Sequence, residues 1–246
     1  MLGLGFRAGA GPRSRKRFTP AALFAHGELG MWIDPSDLGT MFQDMEGTIP
    51  AAVGMTVGRI NDKSGRNYNL GQATASARPV LRQDAGGRYY LEFDGVNDRL
   101  ITVIFPLGSG WDRVSAVRQN GWTNGRRIFA GGGSAGVLQQ TSAAPTLGVF
   151  DGTLTALNSG AAVGSAAVLV ERHAGAASQL AVNGGAAAQG NSGGNSATSV
   201  SVGADTSGAN AAAIHFYGLC LVKATLSAAQ LAALKSFFAA KAGVAL

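Results

Sequence analysis

Residues 89–104 (YYLEFDGVNDRLITVI) carry the clearest alternation of polar and apolar positions in the chain. Tyr90, Glu92 and Asp94 fall on one face of an extended strand, and Tyr89, Leu91 and Phe93 on the other. Gly95 and Asn97 tolerate positive φ and let the chain reverse. Residues 100–104 then read as a second strand, apolar enough to be buried on both faces. The pair predicts a β-hairpin. Downstream, extended segments recur at 113–119, 127–130, 137–141, 146–150, 162–172, 179–183, 199–203 and 214–223, most of them separated by Gly, Asn and Ser. Asn183-Gly184-Gly185 marks a tight turn, and residues 185–197 are small, low in complexity and read as a loop.

Upstream, residues 31–33 read as a strand and Asp34-Pro35-Ser36-Asp37 as a turn, with Pro35 setting φ. Residues 50–60 and 75–81 are short extended pieces. Thr19 as N-cap with Pro20 at the first helical position predicts one helical turn. A single amphipathic helix closes the chain: Ser227 and Gln230 form a capping box, Leu231, Leu234 and Phe238 with Phe237 form its apolar stripe, and Gly243 stops it.

Composition narrows the class. Apolar residues reach 46% of 246, but much of that is Ala, and 37 glycines point to short strands and tight loops rather than a helical bundle. No apolar run is long enough to cross a membrane, and the first residues lack the apolar stretch of a signal peptide. The lone Cys220, in YGLCLV, reads as a buried inert thiol. His26, His173 and His215 lack metal-ligand spacing. Five of the twenty basic residues and none of the fourteen acidic ones lie in residues 1–17, so the net charge of +6 belongs almost entirely to that arm. Leu2, Leu4 and Phe6 precede the cluster Arg13, Arg15, Lys16, Arg17 and Phe18, the make-up of a segment that orders on a partner protein, with a solvated tail as the plain alternative. With no aromatic interleaving suited to base stacking, nucleic acid is not the expected partner.

The ordered strings FDGVNDRL (93–100), LAVNG (180–184), VSVGAD (200–205) and FYGLCLVKATLSAAQLAAL (216–234) resemble the laminin-G-like jelly roll of the concanavalin-A-like lectin and glucanase superfamily. WIDPSDLGTMFQD (32–44), VGRINDKSG (57–65) and ATASARPVLR (73–82) resemble the leader that precedes such jelly rolls in structural proteins of tailed bacteriophages and prophages. The second resemblance departs from the usual pattern at Ile60-Asn61, where a Trp is common, and at Asn67-Tyr68-Asn69.

These resemblances imply an all-β, antiparallel jelly-roll β-sandwich with a short C-terminal helix and an extended N-terminal arm. Residues 1–27 form the anchoring arm, 28–84 a leader packing on the sandwich, and 85–246 the jelly roll. They imply a non-enzymatic virion component, assembled in the host cytoplasm, placed on tail, baseplate, fibre or capsid surface, and present in several copies, a trimer being one arrangement. The arm (Leu2, Leu4, Phe6, Arg13, Arg15, Lys16, Arg17, Phe18) would dock with other virion proteins. An alternative is a lectin-like module recognising host surface glycan through Trp111, Trp122 and Asn124 on loop-like stretches, although cover for the edge of the core is the plainer reading of both tryptophans.

Glycanases of this superfamily place Glu-x-Asp-x-x-Glu along one strand. Here Glu92 and Asp94 are followed by Asn97, which cannot act as a general acid, so hydrolysis is not expected. Gly131-Gly132-Gly133-Ser134 lacks the ending of a phosphate loop and reads as a hairpin connection; a Ser/His/Asp triad stays open, but no Gly-x-Ser-x-Gly elbow is expected. Asp94 and Asp98 offer a calcium ion too few oxygens, so no cofactor is expected.

Overall fold

The structure is a computed structural model and describes residues 18–246. The leader supplies β1 (Gly30–Ile33), β2 (Met41–Phe42), β3 (Arg59–Ile60), β4 (Leu70–Gly71) and β5 (Val80–Gln83). There follow β6 (Tyr89–Asp94), β7 (Leu100–Thr102), β8 (Trp111–Gln119), β9 (Arg127–Gly131), β10 (Ala135–Gln140) and β11 (Leu147–Phe150). Then come β12 (Leu154–Asn158), β13 (Ala166–His173), β14 (Ser178–Val182), β15 (Ala188–Gly190), β16 (Ser201–Val202), β17 (Ala213–Val222) and the helix α1 (Ala228–Ala242).

Two antiparallel sheets face each other. One runs β15-β14-β13-β8-β17-β6-β5, with β1 also paired to β17; the other runs β12-β11-β10-β9-β16-β7-β4-β3-β2. The expected antiparallel β-sandwich with one C-terminal helix is what forms. Leu91, Phe93, Val117 and Phe216 of the first sheet pack in the main core with Phe129, Leu138 and Val149 of the second. Val114, Ala116 and Cys220 point the other way, into a second core closed by Leu234 and Phe238 of α1. That helix carries the capping box between Ser227 and Gln230 and ends at Gly243 with φ 68°. Burial raises the Cys220 thiol far above its ordinary range, so it stays protonated and inert.

The predicted hairpin does not form. β6 pairs with β17 and β5 in one sheet, whereas β7 pairs with β16 and β4 in the other. The alternation was read correctly, but the turn is a crossover between sheets about 10 Å apart. Asp94 Oδ1 accepts the N–H groups of Val96 (2.7 Å) and Asn97 (3.2 Å), and Asp98 Oδ2 accepts that of Asp94 (2.9 Å). These bonds hold a wide turn instead of a two-residue reversal. Nor is the second strand buried to its end: Val103 and Ile104, beyond β7, are 74% and 82% exposed.

The leader is more than a cover. Its strands enter both sheets, so residues 28–84 and the sandwich share one core. The turn strings of the leader account for this. Asp62 accepts the N–H of Trp32 (2.9 Å), Ser64 (2.8 Å) and Tyr68 (3.1 Å). Lys63 meets Asp37 (2.6 Å) and Asp34 (3.6 Å), and Lys241 of α1 reaches the same Asp34 (3.1 Å). Thr19 sits at the N-cap of a 3₁₀ turn, Pro20–Phe24, but its side chain makes no capping bond. Residues 185–197 are not all loop, since β15 adds an edge strand to β14 there.

Inside the sandwich lies a buried polar network. Arg113, 1% exposed, donates to Glu171 through Nε (2.9 Å) and Nη2 (2.5 Å). His173 Nδ1 lies 2.8 Å from Asp151 Oδ2, and its Nε2 is 3.4 Å from Glu171. Burial would raise both carboxyls. The charges and hydrogen bonds of Arg113 and His173 together outweigh it at Glu171, as do the His173 charge and the hydrogen bonds from His173, Ser192 and the Gly136 N–H at Asp151, and both end below the ordinary carboxylate range.

Replacing Arg113 by Met would leave Glu171 charged and unpaired by its strongest partner, and is expected to cost about 3–5 kcal/mol in denaturant unfolding. Because both carboxyls are depressed, their contribution is present above their ordinary values of 4.5 and 3.8 and is lost as pH falls through the lower folded values. In the Arg113→Met variant this acid-side loss of stability should be smaller than in the native chain.

Candidate functional site

At the end of the sandwich where β17 begins, the β6–β7 turn, the β8–β9 loop and Ala213 enclose two adjoining concavities of about 340 and 100 Å³. Asp94 and Ala213 line both. Arg82, Glu92, Asp98 and Asn120 complete the larger; Trp122, Thr123, Arg126 and Gln140 complete the smaller. The local sequence explains the shape. Gly95 has φ 77°, and a Cβ there would stand 2.8 Å from the Ala213 nitrogen, so the turn can lie against β17 only with glycine. Gln140 fixes the β8–β9 loop: its Oε1 accepts the Thr123 N–H (2.9 Å), and its Nε2 donates to Gly121 (2.7 Å) and Gln119 (2.8 Å).

Charge in this cleft is mostly engaged. Glu92 is paired with Arg82 (2.7 Å), and Asp94 is occupied by the backbone of its own turn. Asp98 is 6% exposed, and burial, reinforced by the charges of Asp94 and Glu92, pushes its carboxyl up to about 6 against the pull of the Asp94 N–H. Asp94 and Asp98 spend oxygens on backbone N–H groups. Among the described residues no group of three or more His, Cys, Asp or Glu side chains is arranged to hold a metal ion.

The residues singled out from sequence fare differently. Trp122 and Asn124 lie in the β8–β9 loop, with Trp122 half-buried on the cleft wall and Asn124 exposed beside it. Trp111 is not in a loop. It opens β8, is 2% exposed, and stacks on His173 with ring centroids 3.8 Å apart, so it offers no free face to a sugar. Among the anchoring residues only Phe18 falls in the described part, where it packs against the second core beside Phe237. Leu2, Leu4, Phe6, Arg13, Arg15, Lys16 and Arg17 lie outside the described residues.

The fold also assembles a Ser/His/Asp group that sequence reading missed. Ser192 Oγ donates to Asp151 Oδ2 (2.6 Å), the oxygen that faces His173, and lies 2.7 Å from Ser178 Oγ. Two Gly-x-Ser-x-Gly strings, Gly132 to Gly136 and Gly190 to Gly194, were the available signal. Neither is a nucleophile elbow, which needs a strand-to-helix turn. Ser134 sits between β9 and β10, and Ser192 is fully buried in a loop after β15. In a working triad the histidine stands between serine and carboxylate; here the carboxylate stands between serine and histidine. The group can tie loops together and cannot activate a nucleophile.

No family model matches the sequence, and comparison with curated proteins finds no significant match. Among solved structures the chain is similar to Trypanosoma rangeli sialidase in complex with sialic acid (TM-score 0.57, 13% identity, 85% of this chain and 32% of that one). It is also similar to the binding domain of Paraclostridial Mosquitocidal Protein 1 (TM-score 0.52, 13% identity, 76% and 51%). A third is the binding domain of Botulinum neurotoxin DC in complex with rat synaptotagmin II (TM-score 0.52, 9% identity, 86% and 51%). The chain thus spans about a third of the sialidase and half of each toxin chain. At such identities the likeness concerns the sandwich fold alone.

Asp98 gives the cleft a pH signature. Its raised folded value means that its contribution is full below its ordinary 3.8 and is lost as pH rises through about 6. Asp98→Asn keeps an oxygen for the Asp94 N–H and removes that loss. Relative to the native chain the variant should gain on the order of 2 kcal/mol between pH 4 and pH 7 in chemical denaturation. Parallel pH profiles would show that Asp98 titrates as an ordinary surface carboxyl.

Proposed function

We propose that this chain is a non-enzymatic structural protein of a bacteriophage-type virion, a laminin-G-like jelly roll held to the particle by its N-terminal arm. Its turn-end cleft faces outward. The reading rests on the polarity of β17. The arm-proximal turn Pro20–Phe24 packs at Gly30, which pairs with Val222 at one end of that strand; the cleft forms at Ala213, the other end. At about 3.3 Å per residue those ends lie roughly 30 Å apart. A module tethered at one end and concave at the other suits display, and the leader's resemblance to phage structural proteins supplies the setting. Several copies in a symmetric assembly, a trimer among the arrangements, fit that role.

A second reading is favoured by Trp122, a half-buried indole on the cleft wall beside Asp94 and Arg126. Under it the module recognises host surface glycan, the ring serving as platform and the polar groups as hydrogen-bonding partners. Engagement of Glu92 by Arg82 and of Asp94 by its own turn supports binding without hydrolysis.

Deleting residues 1–18 is expected to leave a soluble, folded sandwich that no longer joins assembled particles; undiminished incorporation would count against the anchor. On a glycan array, Trp122→Ala should weaken any saccharide signal of the intact chain by roughly tenfold, while Trp111→Ala should act through stability. An intact chain silent towards every surface polysaccharide would remove the lectin reading and leave the structural one.

A further inference from the structure

The outer face of the first sheet is only partly covered. α1 packs over Val114, Ala116 and Cys220, and between the helix and the turn end Arg118 of β8, His215 of β17 and Tyr90 and Glu92 of β6 are half-buried among the described residues. There His215 pairs in register with Arg118 on one side and Glu92 on the other, which puts the three side chains in one row on one face. Tyr90 stacks on the His215 ring, with centroids 4.0 Å apart and planes 24° apart.

The charges of the row do not balance locally. Glu92 is shared between Arg82 Nε (2.7 Å) and His215 Nε2 (3.6 Å). Arg118 is half-buried and, among the described residues, has no ion pair; its Nε is buried without an acceptor, as is His215 Nδ1. The groups facing His215 are Glu92 and Tyr90 from β6, Arg118 from β8 and, beyond Glu92, Arg82 from β5. Burial first, and then the Arg118 charge, hold the His215 imidazole below its ordinary range, with Glu92 opposing. A guanidinium with donors unused among the described residues, set half-buried beside a flat aromatic stack, suits an oxyanion. Its planar fork matches a carboxylate.

We propose that Arg118 binds the carboxylate of an acidic saccharide, with the Tyr90–His215 stack supporting the sugar ring. The proposal deepens the glycan reading and rests on it, but places the acidic sugar on the sheet face rather than in the Trp122 cleft. His215 is a positioning residue: it acts by charge, because an anion on Arg118 cancels the repulsion that disfavours the imidazolium. Binding therefore takes up a proton, and affinity rises as pH falls.

The test is calorimetric and NMR titration of the full chain with a galacturonate oligomer, a neutral galactose oligomer and inorganic phosphate. The galacturonate oligomer is expected to bind more tightly at about pH 5.5 than at about pH 8 and to move the His215 titration upward, while the neutral oligomer does neither. Arg118→Gln should lower its affinity at least tenfold, and Arg118→Lys, which keeps the charge but not the fork, by less. The denaturation midpoint of each variant checks folding. Absence of galacturonate binding at the lower pH, or native affinity in folded Arg118→Gln, overturns the site. Phosphate binding tighter than galacturonate overturns the saccharide assignment. Loss of binding in Trp122→Ala with retention in Arg118→Gln returns the glycan to the cleft and also overturns the site. Galacturonate binding by a chain that never enters particles would refute the virion role and leave this site standing.

Discussion

Four ionisable groups sealed between two sheets set the terms for the rest of this molecule. Arg113 and Glu171 come from the first sheet, as does His173, while Asp151 and the Gly136 backbone, which meets both Asp151 and Arg113, come from the second. Sliding one sheet past the other would break the His173–Asp151 contact and the Arg113–Gly136 contact while the charges stay buried, at several kcal/mol for a charge left unpaired. Much of the remaining core is Val, Leu and Ala, which would tolerate other packings. The network therefore does less to raise stability than to select one arrangement. Its packing says the same: the Arg113 guanidinium lies 4.1 Å from the Phe129 ring centroid across the interior, and Trp111 covers His173.

A second constraint fixes the ends of the chain. Asp34 is buried and receives Lys63 from the leader and Lys241 from α1, so the first strand and the last helix are bound to each other before either meets the solvent. The strings WIDPSDL and NDKSG, which resemble a phage leader, are spent on this clasp and on the Asp62 turn. Their chemistry is that of folding. A ligand is better sought where polar groups have been left with nothing to do.

How much of this could be read in the sequence follows from the range of the interactions involved. Strand positions, the capping box at Ser227 and the Gly243 stop depend on neighbours a few residues away, and local pattern found them. The partner of each strand depends on contacts across the fold. Residues 89–104 alternate as a hairpin would, yet β6 and β7 lie in different sheets because their partners, β17 and β16, are more than 95 residues further along. The same distance hid the site. His173 meets Asp151 over 22 positions and Arg113 meets Glu171 over 58, so a histidine without nearby ligands and an arginine on a strand looked unremarkable. Trp111, one residue from Asp112 and near several glycines, had the local look of a loop; only the long pairing of β8 with β13 and β17 buries it.

The contrast between Arg113 and Arg118 carries the argument to the surface. Both stand on β8, five positions apart, and the period of two sends them to opposite faces. Arg113 points inward, where two carboxylate oxygens and a backbone carbonyl satisfy its donors, and it is fixed there. Arg118 stands on the outer face in register with His215, whose charged form it disfavours, and Glu92 on the far side of that histidine is paired with Arg82. A guanidinium loses part of its hydration when half-buried on a sheet, and such a loss persists only where something else offsets it. Arg113 is offset from within. For Arg118 no offset lies among the described residues, which is why its half-buried place on the outer sheet face, more than the buried Ser/His/Asp group, is where a ligand is to be sought.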